Sequence, residues 1–165
     1  MNVVIIGAPC TGKTTLCKML ENYGFEHVSI DQFRKKDWES FKPEDEKEIY
    51  EEFFKYVIPR DNLVIDTPGI SPFFQERKHM IRDALFIKLE CSLEECLRRL
   101  ERRKDQINVT PSLLRWLYLS AEKLPAHVVI NTEELTPAQV LRKALEAIRR
   151  HEKRIEDKYL DELLD

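Results

Sequence analysis

The segment Gly7-Ala8-Pro9-Cys10-Thr11-Gly12-Lys13-Thr14 carries the strongest chemical signal in the sequence. It meets the spacing G-x-x-x-x-G-K-[ST] in full, directly behind the apolar run Val3-Val4-Ile5-Ile6 and directly before a helical pattern. Each part has a physical reason. Gly7 and Gly12 allow backbone angles and close approaches that a side chain would obstruct. The N–H groups of the loop, with the positive end of the following helix, then surround a triphosphate. Lys13 brings a point charge to the β- and γ-phosphates and acts in catalysis, and the Thr14 hydroxyl is a ligand for Mg2+. The expected ATP-binding residues are Gly7, Ala8, Pro9, Cys10, Thr11, Gly12, Lys13, Thr14 and Thr15. Cys10 reads as a loop position that contributes its backbone, the other reading being a redox switch.

A second position of interest is Asp66, which closes the apolar strand Leu63-Val64-Ile65. An acidic residue there is placed to hold a Mg2+-bound water; the alternative is a turn-forming Asp ahead of Pro68-Gly69. Asp66 to Gly69 also fits the D-x-x-G of GTPases. That reading requires an N-K-x-D near a later strand end, where the chain has Glu90-Cys91-Ser92 and Asn131-Thr132-Glu133 instead. Arg99 and Arg103 stand at i and i+4 and so share one helix face. Ion pairs to Glu94, Glu95 and Glu101 on a solvated helix are the plain alternative for this basic stretch.

These residues need a scaffold, and the chain alternates strand and helix patterns as a parallel α/β sheet requires. Strands are expected over residues 2–6, 27–30, 63–66, 85–90 and 128–130. A helix over 13–23 places Leu16, Met19 and Leu20 on one face and stops at Gly24. A charged amphipathic helix over 43–57 turns Ile49, Phe53, Phe54 and Val57 inward. Helices follow over 93–104 and 111–123, the first opened by Ser92 and Glu95 as a capping box. Trp116 and Tyr118 of the second are expected in the core, with stacking on a base as the other possibility. Thr136 and Pro137 start a last helix that runs past Arg150. The expected architecture is a three-layer α/β sandwich with a five-stranded parallel sheet, the P-loop NTPase fold. Residues 1–150 form its single domain. Residues 151–165 are a charged helical extension whose Ile155, Tyr159, Leu160, Leu163 and Leu164 dock on the body or on another subunit, or else stay solvated.

From the phosphate loop through to about residue 148, the chain resembles the P-loop kinases of small molecules and nucleotides. These include adenylate kinase-like enzymes, shikimate and gluconate kinases, and 5'-hydroxyl polynucleotide kinases. The resemblance rests on the loop and on three shorter motifs. Ser29-Ile30-Asp31-Gln32-Phe33-Arg34 matches the Asp-x-x-Arg of polynucleotide kinase-like members. It implies Asp31 as the base for an acceptor hydroxyl and Arg34 as the holder of an anionic acceptor group, the plain alternative being a capping Asp with Arg34 in a surface ion pair. Arg99-Leu100-Glu101-Arg102-Arg103 resembles the kinases' lid helix. It implies a short arginine-rich lid near residues 98–111 in which Arg99 and Arg103 neutralise transition-state charge. Val128-Val129-Ile130-Asn131-Thr132 resembles the strand whose end packs near the adenine. Pro68 departs from adenylate kinase-like relatives, which can carry a catalytic His there. Residues 32–54 would cover the acceptor, with Trp38 and Phe41 as an aromatic wall.

Composition narrows the remaining classes. The chain has 165 residues, 27 basic against 30 acidic, a net charge of -3. That balance argues against duplex nucleic acid as a partner. The charged fraction of 35% suits either a heat-adapted surface or a helix-rich protein with charged outer faces. No apolar run approaches the ~20 residues that span a bilayer, and Cys10, Cys17, Cys91 and Cys96 form no C-x-x-C pair. No membrane partner, reduced cysteines and a cytoplasmic location are expected, with the protein a monomer or a homodimer. The reading is an ATP- and Mg2+-dependent phosphotransferase acting on an unidentified hydroxyl or phosphate acceptor. A 5'-hydroxyl kinase of nucleic acid and an acceptor-free regulatory switch are the alternatives.

Overall fold

In a computed structural model, the structure describes residues 1–34, 45–103 and 109–165. The expectations placed on Trp38, Phe41, Pro43 and Lys104 lie outside these residues. Strand β1 (Asn2–Ile6) is buried along its whole length, as an unbroken apolar run demands of a strand covered on both faces. β3 (Leu63–Asp66) is equally buried, whereas β2 (Glu26–Ser29) and β5 (Val128–Asn131) show exposed positions. The difference follows from their places: with β4 (Ala84–Glu90), the five strands run parallel in the order β2-β3-β1-β4-β5, so β2 and β5 are the edges.

Alternation along β1 feeds two cores. Val3 and Ile5 pack with Leu16, Cys17 and Leu20 of α1 (Lys13–Leu20) and with Val140, Ala144 and Ile148 of α6 (Pro137–Leu164). Val4 and Ile6 face Ile49, Phe53, Phe54 and Val57 of α2 (Asp45–Val57) and Phe74 of α3 (Pro72–Arg77). A third, smaller cluster joins Cys91, Cys96 and Leu114 beneath α4 (Leu93–Arg102) and α5 (Pro111–Glu122). The result is the three-layer sandwich that the patterns predict.

Several boundaries move for local reasons. The first helix ends at Leu20 and continues as a tight turn over Glu21–Tyr23 before Gly24, whose φ of 89° stops it. Strand β2 ends at Ser29, because the Ser29 hydroxyl accepts from the Asp31 N–H at 3.3 Å and opens a helical turn over Ile30–Phe33. Trp116 is 60% exposed rather than core: α5 buries Leu114 and Ala121, and Trp116 points off that stripe. Helix α6 is continuous to Leu164 and begins in a reciprocal capping box of Thr136 and Gln139. It touches the body at Asp83 through His151 and the Tyr159 hydroxyl, while Leu160, Leu163 and Leu164 are 56%, 82% and 84% exposed. No described helix is long and apolar enough to cross a membrane.

Candidate active site

Parallel strands bring the functional residues to one edge. The loop after β1 turns on Gly7, with φ 141°, and Gly12, with φ 101°, which caps α1 without a side chain. The first-turn N–H groups of α1 therefore point out of the helix with no side chain across them. At Gly7 the space is also closed: a Cβ there would lie 2.5 Å from the Leu89 carbonyl oxygen. Gly7→Ala is expected to destabilise the protein by about 1–3 kcal/mol, since strained backbone and a backbone clash coincide. A melting curve indistinguishable from the wild type would remove that account. Inside the loop, the Thr11 hydroxyl and the Lys13 ammonium both donate to the Ala8 carbonyl at 2.8 Å.

The Thr14 hydroxyl donates to Asp66 Oδ2 at 2.9 Å, which ties the start of α1 to the end of β3. Asp66 is 6% exposed. Burial alone would raise its carboxyl, but His27, the Lys13 ammonium and the Thr14 hydroxyl together hold it below the ordinary carboxylate range. The same burial lowers the Lys13 ammonium, with Asp66 acting against it. Thr14 and Asp66 thus present a hydroxyl and a carboxylate side by side, the hard oxygen donors that suit Mg2+.

Because Ser29 pairs with Asp66 in the β2–β3 register, Asp31 emerges at the same sheet edge. Its side chain is 69% exposed, 3.4 Å from Arg34 Nε. Arg34 is also held in a fork by Glu46 of α2, at 2.6 and 3.0 Å. An anionic acceptor would therefore meet an Arg34 whose charge is already shared by two carboxylates.

Across the loop, α4 supplies the two arginines. Arg99 Nη1 donates to the Cys10 carbonyl and to Thr132 Oγ1, both at 3.1 Å, and Nη2 donates to the Thr132 carbonyl at 3.1 Å. Arg103 Nη1 lies 3.6 Å from Cys10 Sγ. The two share a face, as their spacing requires, and that face looks onto the loop. A cavity of about 320 Å3 opens between α1 and α6, lined by Thr15, Met19, Arg99, Thr132 and Pro137 among others. The expected capping box at Ser92 is only half formed. Ser92 Oγ accepts from the Glu95 N–H, but the Glu95 carboxylate turns to Arg98 and Arg99. Glu133 takes its place, accepting from the Ser92 N–H at 3.0 Å and from its hydroxyl at 2.9 Å.

A family profile described as AAA domain matches residues 3–110, well over half of the chain. The chain belongs to the AAA domain family. No curated protein matches its sequence. Among solved structures, this AAA domain shares its fold with a gluconokinase from Sinorhizobium meliloti 1021, at 14% identity and a TM-score of 0.77 over 95% of this chain and 96% of that one. A shikimate kinase from Acinetobacter baumannii in complex with shikimate aligns at 20% identity and a TM-score of 0.67, over 90% of this chain and 93% of its own. Kti12 from Chaetomium thermophilum, in complex with ADP-AlF3, aligns at 17% identity and a TM-score of 0.63, over 90% and 99%. At these identities the likeness is one of fold, and it agrees with the P-loop kinase resemblance of the sequence.

Three contacts of the site in this AAA domain were not legible in the sequence. Thr132 reaches the loop by donating to the Thr11 carbonyl at 2.9 Å, Glu133 secures the start of α4, and His27 lies 3.6 Å from Asp66. All three act across distant segments; Thr132 ends the strand motif Val128-Val129-Ile130-Asn131-Thr132, but its contact with the loop is not written there, and nothing near Glu133 or His27 marks them.

Proposed function

We propose that this protein is a kinase that moves the γ-phosphoryl group of ATP to a nucleotide or another small-molecule acceptor. The observation that carries the reading is the approach of Arg99 and Arg103 to Cys10, on the far side of the same loop that holds Lys13. A second set of cations beside Lys13 is what phosphoryl transfer uses, whether to an acceptor or to water, and Asp31 with Arg34 at the same sheet edge favours an acceptor. In this reading the loop amides and Lys13 hold the triphosphate, and Arg99 and Arg103 oppose the charge that spreads over the transferring group. Thr14, and Asp66 through water, would hold Mg2+, which when bound neutralises phosphate charge. Asp31 takes the proton of the attacking hydroxyl, and Arg34 orients an anionic group on the acceptor. The lid near residues 98–111 belongs to the domain of residues 1–150, to which residues 151–165 add a projecting helix.

Calorimetry with ATP and Mg2+ tests the first half, and an ATP-consumption screen over nucleoside monophosphates, sugars, cofactor precursors and oligonucleotides tests the second. Binding, with hydrolysis accelerated by one class of acceptor, is the expected result. Absence of ATP binding would end the proposal. Hydrolysis indifferent to every acceptor would favour the second reading, a regulatory NTPase. The exposed Leu160, Leu163 and Leu164 of α6 would suit that reading as a partner surface.

A further inference from the structure

Behind the phosphate loop, three side chains from three elements converge. The Cys17 Sγ of α1, a ring nitrogen of His27 of β2 and a carboxylate oxygen of Asp66 of β3 lie within 4.8 Å of one another. Cys17 is fully buried. The His27 ring is oriented from outside: Nδ1 lies 3.4 Å from the Glu21 carboxylate. Its Nε2 faces inward, 3.6 Å from Asp66 Oδ2, and is buried without a hydrogen-bond partner among the described residues.

A ring that gives one nitrogen to a carboxylate and keeps the other bare and inward is the arrangement of a metal-binding histidine with its supporting shell. The separation of Nε2 and Oδ2 already suits two ligands on one tetrahedral ion, because bonds of about 2.0–2.2 Å set such atoms roughly 3.3–3.6 Å apart. Thiolate, imidazole and carboxylate together favour a borderline cation over Mg2+, which asks for oxygen alone.

We propose that Cys17, His27 and Asp66 form a binding site for one divalent cation of the zinc class, with Glu21 as the residue that positions His27. On binding, the Cys17 S–H bond breaks, its proton leaves to solvent and the sulfur bonds the cation; His27 Nε2 gives up to solvent any proton it directs at Asp66 and bonds the cation through its lone pair, with the Nδ1 proton directed at Glu21. The fourth position falls to water or to the Thr14 hydroxyl, which already contacts Asp66. A cation held there draws on the same carboxylate that the kinase reading assigns to Mg2+-bound water. That consequence rests on the kinase reading; the binding does not.

The competing account is a protonated His27 that simply bridges Glu21 and Asp66, with Cys17 as core. Cobalt titration of the chelator-treated, reduced protein separates the two without nucleotide. The expected result is a saturable thiolate-to-cobalt charge-transfer band at one equivalent, displaced by Zn2+ and absent in Cys17→Ala. Glu21→Gln, at an exposed position, is expected to weaken Co2+ binding about 10–100-fold with an unchanged melting curve. No such band in the wild type, or a band that survives Cys17→Ala, overturns the proposal. Undiminished affinity in Glu21→Gln overturns the role given to Glu21. None of these readouts depends on ATP, so their failure and that of the kinase reading are distinguishable.

Discussion

Arg103→Ala is expected to lower kcat by about 10^3-fold or more while leaving the melting temperature unchanged, and Arg99→Ala is expected to damage both. The magnitude is that of an arginine that stabilises the transition state of phosphoryl transfer. The split comes from how each guanidinium is engaged. Arg99 is 25% exposed and joins three elements through the Cys10 carbonyl, Thr132 and Glu95. Its removal takes a charged donor from the carbonyls of Cys10 at the loop and Thr132 at the end of β5, a loss of about 1.5–3 kcal/mol for such hydrogen bonds. Arg103 is exposed, and the hydrogen-bond contact of its guanidinium among the described residues is the weak one to Cys10 Sγ. Such a side chain can swing to a phosphate without dismantling anything. Steady-state kinetics and thermal unfolding of both variants decide the matter. If Arg103→Ala keeps kcat within about tenfold of the wild type, the lid role is not its own.

What the sequence disclosed and what it hid divide along the range of the interactions. Strands β1 and β3 and the phosphate loop were readable because burial on both faces writes an unbroken apolar run, and because the loop's geometry demands glycine at fixed positions. Asp66 was readable because it ends such a run. Helix α3 was not, since residues 72–77 bury only Phe74 and give a period too little length to show. The core placement expected for Trp116 failed for a related reason: Leu113, Leu114, Leu117 and Leu119 surround it in sequence, and composition cannot say which side of so apolar a helix turns inward. Ser92 illustrates the half-legible case. Its cap on Glu95 is local and was foreseen; its bond to Glu133 spans 41 residues and was not. Thr132 and His27 belong with Glu133. Their partners are set by the strand order, and strand order is not written beside them.

The same strand order sets up the second large effect, at Asp31. Asp31→Asn is expected to lower acceptor-dependent kcat about 10^2–10^4-fold, the usual contribution of a positioned general base. Nucleotide affinity should be unchanged, because Asp31 lies beyond β2 rather than in the loop. The acceptor KM should also hold: Arg34 keeps its fork from Glu46 when Asp31 loses its charge, so the group assigned to the acceptor's anion stays in place. Atoms packed around Asp31 partly desolvate its carboxyl and raise it above its ordinary value, with Asp66 adding to the rise and Arg34 and Lys13 opposing it; because the side chain is 69% exposed, solvent screens much of this effect. The sign for activity follows. Only the deprotonated carboxylate can take a proton, so turnover should fall on acidification through a pKa higher than that of a free aspartate, and this acid limb should be missing from the residual activity of Asp31→Asn. A variant that loses kcat yet keeps the acid limb would assign the proton transfer to another group, and one that keeps kcat would remove Asp31 from the chemistry altogether.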